Sequence, residues 1–295
     1  MPQTLPNAPA HIPEARLRLR LDVPVPLRLW HLTSLDAPTV AVTWSLAFAW
    51  AAQVHLPLWA PALLALAAWS VYIGDRLLDA RSARRADGFS ALRDRHRFHH
   101  RHRRLLLPVA VAAALAAAWI VFTRMPIAAR ERNSILVIAA LAYFTGVHSA
   151  DRLPSLGIFR LLKKELLVGL LFTAACVLPA IRRVPQQDFN AAIPLWVDAA
   201  FFALLAWLNC HAIEGWESST DVPRIQVQAS LLALGGLALT CALEAAHPRP
   251  AALLACGAAS SLLLALLDRF RNRLTPLALR AAADLVLLTP LLLLA

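Results

Sequence analysis

Charge of either sign is scarce in this chain, and negative charge most of all. Only 16% of residues are charged, with 18 aspartates and glutamates against 29 lysines and arginines. Soluble domains carry charge on about a quarter of their residues, so that class is excluded. Cysteine occurs four times, at Cys176, Cys210, Cys241 and Cys256, with no CxxC pair and always in or beside apolar runs. That excludes a disulfide framework and a cysteine-based zinc site, and leaves small core residues. Strict alternation of apolar and polar residues is missing, which excludes a transmembrane barrel. A repeat of roughly 30–45 residues with polar faces is also missing, which excludes a soluble helical solenoid. The first 37 residues carry prolines and arginines but no apolar core of signal-peptide type, so no cleavage is expected.

What remains is grease. Hydrophobic residues make up 59% of the chain, and mean hydropathy is +0.58. Leucine- and alanine-rich runs of bilayer length recur, and lipid supplies no hydrogen bonds to a backbone, so the runs predict helices. Nine spans are expected, near residues 38–56, 58–79, 105–123, 133–149, 163–181, 192–213, 225–246, 250–267 and 277–295. Residues 1–37 read as a cytoplasmic, mostly irregular segment, and 38–295 as one transmembrane domain with a basic cytoplasmic loop at 80–104. The expected fold is thus an all-α polytopic bundle of about nine transmembrane helices.

Arginine sets the orientation. With the N-terminus inside, the outer loops hold Arg124, Arg130, Arg132, Arg182, Arg183 and Arg249, and nearly all other basic residues fall in inner segments. The positive-inside rule then puts the N-terminus in the cytoplasm of a bacterial-type inner (plasma) membrane and, for an odd span count, the C-terminus outside. The formal charge of +11 belongs to these connections, where anionic lipid is the natural partner. Nucleic acid is not an expected partner: "RDRHRFHHRHRR" (residues 93–104) holds Phe98 as its only aromatic. His96, His99, His100 and His102 lie in the same stretch, but interleaved arginines repel a cation and the spacing fits no closed zinc site.

Because acids are rare, their clustering is informative. Asp75 and Asp79 stand one helical turn apart at the inner end of the second span. Four spans later, "LNCHAIEGWESSTDVPR" repeats the spacing with Glu217 and Asp221; Glu214 lies one turn earlier and Asn209 two turns before Glu217. The recurrence suggests two four-helix halves plus one helix, with a site where the halves meet. Converging carboxylates need a cation, and hard oxygen ligands suit Mg²⁺, which also takes phosphate oxygens. A magnesium–diphosphate complex fills such a gap, with nearby arginine and lysine neutralising the rest. The solvated helix end is the plainer alternative for each stripe.

"DRLLD", the second acidic stripe and the nine-span layout resemble the UbiA superfamily of membrane prenyltransferases. The resemblance implies Mg²⁺-dependent transfer of a prenyl group from a polyprenyl diphosphate to an aromatic or other lipophilic acceptor. By that resemblance Asp75, Asp79, Glu217 and Asp221 hold the metal, with Glu214 an alternative ligand. Arg95, Arg97, Lys164 and Asn209 contact the diphosphate. Val71 stands where the first motif of the family has asparagine. Lys163, Lys164 and Glu165 also read as snorkelling residues at the inner interface, and His148 with Asp151 as a proton-accepting pair. Trp207 and Trp216 flank the second stripe as interfacial anchors or as cation–π partners of a carbocation. A non-catalytic UbiA-like binding or scaffold protein is the second functional expectation, and a small-solute transporter the third.

Overall fold

Leucine and alanine favour helix, and in the absence of strand-forming alternation each apolar run becomes one. The computed structural model of the protein describes residues 21–87, 94–148, 164–184, 189–217 and 224–295. In chain order the helices are α1 (Val25–Leu32), α2 (Asp36–Ala51), α3 (Trp59–Asp87), α4 (Asp94–Arg124), α5 (Ile127–His148) and α6 (Lys164–Ile181). They continue as α7 (Phe189–Glu217), α8 (Ile225–Leu243), α9 (Pro248–Phe270), α10 (Pro276–Leu285) and α11 (Leu291–Leu294), with no strand among the described residues. The protein is therefore all-α, as its composition predicts.

Among the described residues, six segments are long and apolar enough to cross a membrane: Trp59–Arg81, Arg95–Arg124, Ala192–Glu217, Ile225–Leu243, Pro248–Arg273 and Pro276–Leu294. That is consistent with an integral membrane protein. The expected count of nine is larger. Helix α2 has only 16 residues, α6 offers the short apolar stretch Glu165–Ile181, and α5 is interrupted near its start by Arg130, Glu131 and Arg132.

The expected basic loop is helical where it is described. The basic stretch 80–104 lies largely within α3, which runs on to Asp87, and within α4, which begins at Asp94. Arginine is a good helix former, and its side chains leave the backbone ladder intact. The N-terminal 37 residues include α1 and the first turn of α2. Leu21 bridges to Leu274, and Asp22 accepts a hydrogen bond from Thr275, so the chain is strapped to the α9–α10 turn before α1 begins. Left-handed residues Ser34 and Gln53 turn the chain out of α1 and α2 (φ 57° and 56°).

The helices pack largely as antiparallel neighbours: α3 on α4, α6 on α7, and α8 on α9 through the tight "HPRP" turn. Helix α2 is central and touches α3, α6, α9, α10 and α11. At the centre, Trp44 stacks on Phe202 with ring centroids 3.9 Å apart, and Phe48 meets Phe202 edge-on at 6.0 Å. Lipid tails are as apolar as leucine, so close packing rather than transfer from water holds such a core. Close approach is visible at Gly169 of α6, where a Cβ would sit 2.9 Å from the backbone nitrogen of Trp207.

The last apolar segment is broken. After α10 the chain tightens into a 3₁₀ turn at Val286–Leu288 and resumes at Leu291. Pro290 has no N–H to offer the Val286 carbonyl one turn back. The Ser260 hydroxyl donates to that carbonyl at 2.7 Å, and the Trp44 indole N–H donates to the Leu287 carbonyl at 2.8 Å. Freed backbone at membrane depth is thus satisfied by side chains from α9 and α2.

Candidate functional site

On α3 the stripe Ile73, Arg76, Ala80 is buried, and Asp75 and Asp79 lie beside it, half-buried. The next stripe is open: Val71 is 56% exposed, and a side chain added at Gly74 would meet nothing. The acid pair therefore borders an unfilled face. Tyr72, one turn before Asp75, lies within electrostatic reach of Cys210 on α7.

The second stripe ends α7. Glu217 receives Arg280 of α10 on Oε1 at 2.7 Å and Arg95 of α4 on Oε2 at 3.5 Å. Because α3 and α4 form an antiparallel hairpin, the contact of Arg95 with Glu217 brings the acid-bearing ends of α3 and α7 to the same end of the bundle. Glu214 and Arg97 are on exposed surfaces. Asp221, Asp151, Lys163 and the side chains of Lys164 and His148 lie outside the described residues. Asn209, expected on the diphosphate, is buried and donates its amide to Asp284 Oδ1 at 3.4 Å.

Behind this end lies a buried polar cluster that the acid spacing does not reveal. The Ser34 turn sets His31 Nδ1 2.7 Å from Asp36 Oδ2 and 3.5 Å from Asp284 Oδ2. Arg76 reaches Asp36 Oδ2 at 3.6 Å, with its guanidinium 4.9 Å from the centre of the Tyr72 ring. Burial opposes the charged form of His31, but contact with Asp284 and Asp36 outweighs it and raises the pKa above the ordinary histidine value. Close by, His99 Nδ1 lies 2.8 Å from the Arg95 carbonyl, leaving Nε2 to accept the Ser34 hydroxyl at 3.3 Å. One further acid is buried: Asp198, on the same face of α7 as Phe202, has no hydrogen bond to either oxygen among the described residues.

His31 and Asp36 stand five residues apart across the α1–α2 turn, whereas Asp284 comes from α10, and the three together match no spacing motif. The available signal was chemical: an aspartate within an apolar run, such as Asp284, needs a partner. Arg76, next to Asp75 in the chain, is 5% exposed, so this helix end is not simply solvated. In comparisons with known proteins, no family model, curated protein or solved structure matches the chain.

Proposed function

We propose that the chain is a membrane prenyltransferase of UbiA type, using Mg²⁺ to move a prenyl group from a polyprenyl diphosphate to a lipophilic acceptor. The observation that carries this reading is the convergence of Arg95 and Arg280 on Glu217, at the bundle end that also bears Asp75 and Asp79. Two guanidiniums around one carboxylate form an anion-binding pair, and a diphosphate offers that pair more charge and more oxygens.

The donor set suits Mg²⁺ in part. Asp75 and Asp79 supply hard oxygens one turn apart beside an open face. Glu217, with each oxygen on an arginine, joins them only by giving those partners up. When bound, the metal neutralises charge on the diphosphate and eases its departure. Arg95 and Arg280 hold the diphosphate as the allylic C–O bond breaks and its electron pair leaves with oxygen. Apolar walls keep water from the cation until the acceptor donates an electron pair and releases a proton. In this reading the site faces the cytoplasm, the N-terminus is inside and, with nine spans, the C-terminus outside.

A non-catalytic lipid-diphosphate binder is the second reading, favoured by the exposed Val71 in the position of the family's asparagine. Thermal unfolding of purified protein in detergent, with geranylgeranyl or farnesyl diphosphate and with or without Mg²⁺, separates the two. Stabilisation that requires Mg²⁺ supports prenyl transfer; ligand at about 100 times its Kd adds about 2.7 kcal/mol. Stabilisation indifferent to Mg²⁺ favours the binder, and none with any diphosphate overturns both.

A further inference from the structure

We propose that His31, Asp36 and Asp284 form a binding site for a divalent transition metal ion of the zinc or manganese kind, joining the first helices of the bundle to its last. The site is separate from the acid stripes of α3 and α7 and draws on α1, α2 and α10.

The geometry is that of a ligand set with its outer supports in place. One nitrogen of His31 and one oxygen of each aspartate all lie within 4.8 Å of one another. Each carboxylate is held by one oxygen and presents the other. Asp36 Oδ1 accepts the Ala37 backbone N–H at 2.9 Å, and Asp284 Oδ1 accepts the Asn209 amide at 3.4 Å. Both Oδ2 atoms turn to His31 Nδ1, at 2.7 and 3.5 Å. Ligands about 2.1 Å from a metal lie about 3.0 Å apart on an octahedral edge and about 3.4 Å apart in a tetrahedron, so the observed spacings bracket both.

A second, independent observation points to a missing ligand. His31 is 0% exposed, yet among the described residues neither imidazole nitrogen nor Asp36 Oδ2 has a hydrogen bond of proper direction, and Nδ1 meets the two carboxylates only as an ion pair. A buried imidazole crowded by two carboxylate oxygens, with its directed bonding unmet, is a donor set that a cation between them completes. The nitrogen ligand favours zinc or manganese over magnesium, whose preference is for oxygen alone. Arg76 does not block the site: its charge rests partly on the Tyr72 ring, and its 3.6 Å approach to Asp36 Oδ2 is that of an outer-shell support.

The test uses full-length, tag-free protein in detergent, stripped with chelator and dialysed against Zn²⁺ or Mn²⁺. An Asp75→Asn/Asp79→Asn background keeps the α3 acids from competing. One equivalent bound saturably, with a raised unfolding temperature that Mg²⁺ does not reproduce, is the expected result. His31→Ala and Asp284→Asn remove that equivalent. Should either fail to fold, Asn209→Ala keeps all three ligands but loosens Asp284, and lowers affinity about 10- to 100-fold. The proposal is overturned by stripped protein that binds neither metal, by binding equal in the His31 or Asn209 variants, or by equal stabilisation with Mg²⁺.

Discussion

Arg280 donates to Glu217 at 2.7 Å across 63 residues of sequence, tying the end of α7 to α10. Both side chains are less than a quarter exposed, so water screens the pair only partly. Glu217→Gln keeps the shape but leaves Arg280 and Arg95 facing each other's charge. We expect a loss of about 1–3 kcal/mol, read as a lower unfolding midpoint in detergent. Arg280→Gln should cost more than Arg95→Gln, whose contact is longer.

Asp75→Asn tests the chemistry apart from the fold. Its carboxylate is half-buried beside an open face, and an amide of the same size fits there. Membrane insertion and unfolding temperature should stay near wild type, while Mg²⁺-dependent turnover of a prenyl diphosphate is lost. Full turnover in this variant would remove Asp75 from the site.

Packing between α6 and α7 is read by Gly169→Ala. The new methyl would lie 2.9 Å from Trp207 N and 3.1 Å from the Ala203 carbonyl, atoms that cannot move without their helix. Overpacking of this sort costs about 1–3 kcal/mol. Gly74→Ala enters open space and should be neutral or stabilising by up to about 1 kcal/mol. Equal unfolding temperatures for the two variants would contradict the α6–α7 contact.

Ser260→Ala strips the Val286 carbonyl of its donor, and Trp44→Phe does the same for Leu287. Each is expected to cost about 1–3 kcal/mol. Hydrogen exchange should rise selectively across residues 284–291, around the break in the last segment. Uniform exchange across the chain would show that the break does not depend on these donors.

Orientation can be read by thiol labelling in a background with Cys176, Cys210, Cys241 and Cys256 replaced by alanine. Arg97→Cys should react with an impermeant maleimide only from the cytoplasmic side, and Arg182→Cys only from the outside. Both positions are exposed. Labelling of both from one side would refute the assignment.

The helices were legible because each needs only a local run of apolar residues. Helix α2 ends at Ala51, short of the expected 56, because a left-handed Gln53 turns the chain before "VHLP". The break after Asp284 was half-legible: "LTPLL" announces a proline within an apolar run, but not which donors serve the freed carbonyls. The acid stripes were visible because i, i+4 spacing is a sequence property. The ties of Glu217 to Arg95 and Arg280, and of His31 to Asp284, join remote segments, and no local period encodes them.

The interrupted final segment has a consequence for assembly. Its bare carbonyls find donors on Trp44 of α2 and on Ser260 of α9, helices about 200 residues apart in the chain. Lipid cannot stand in for either. The broken segment can therefore seat only against α2 and α9 already packed side by side, which makes its docking a readout of the rest of the bundle. A chain stopped short of Leu287 would leave the indole of Trp44 without that acceptor in the middle of its core, a defect that membrane quality control could sense.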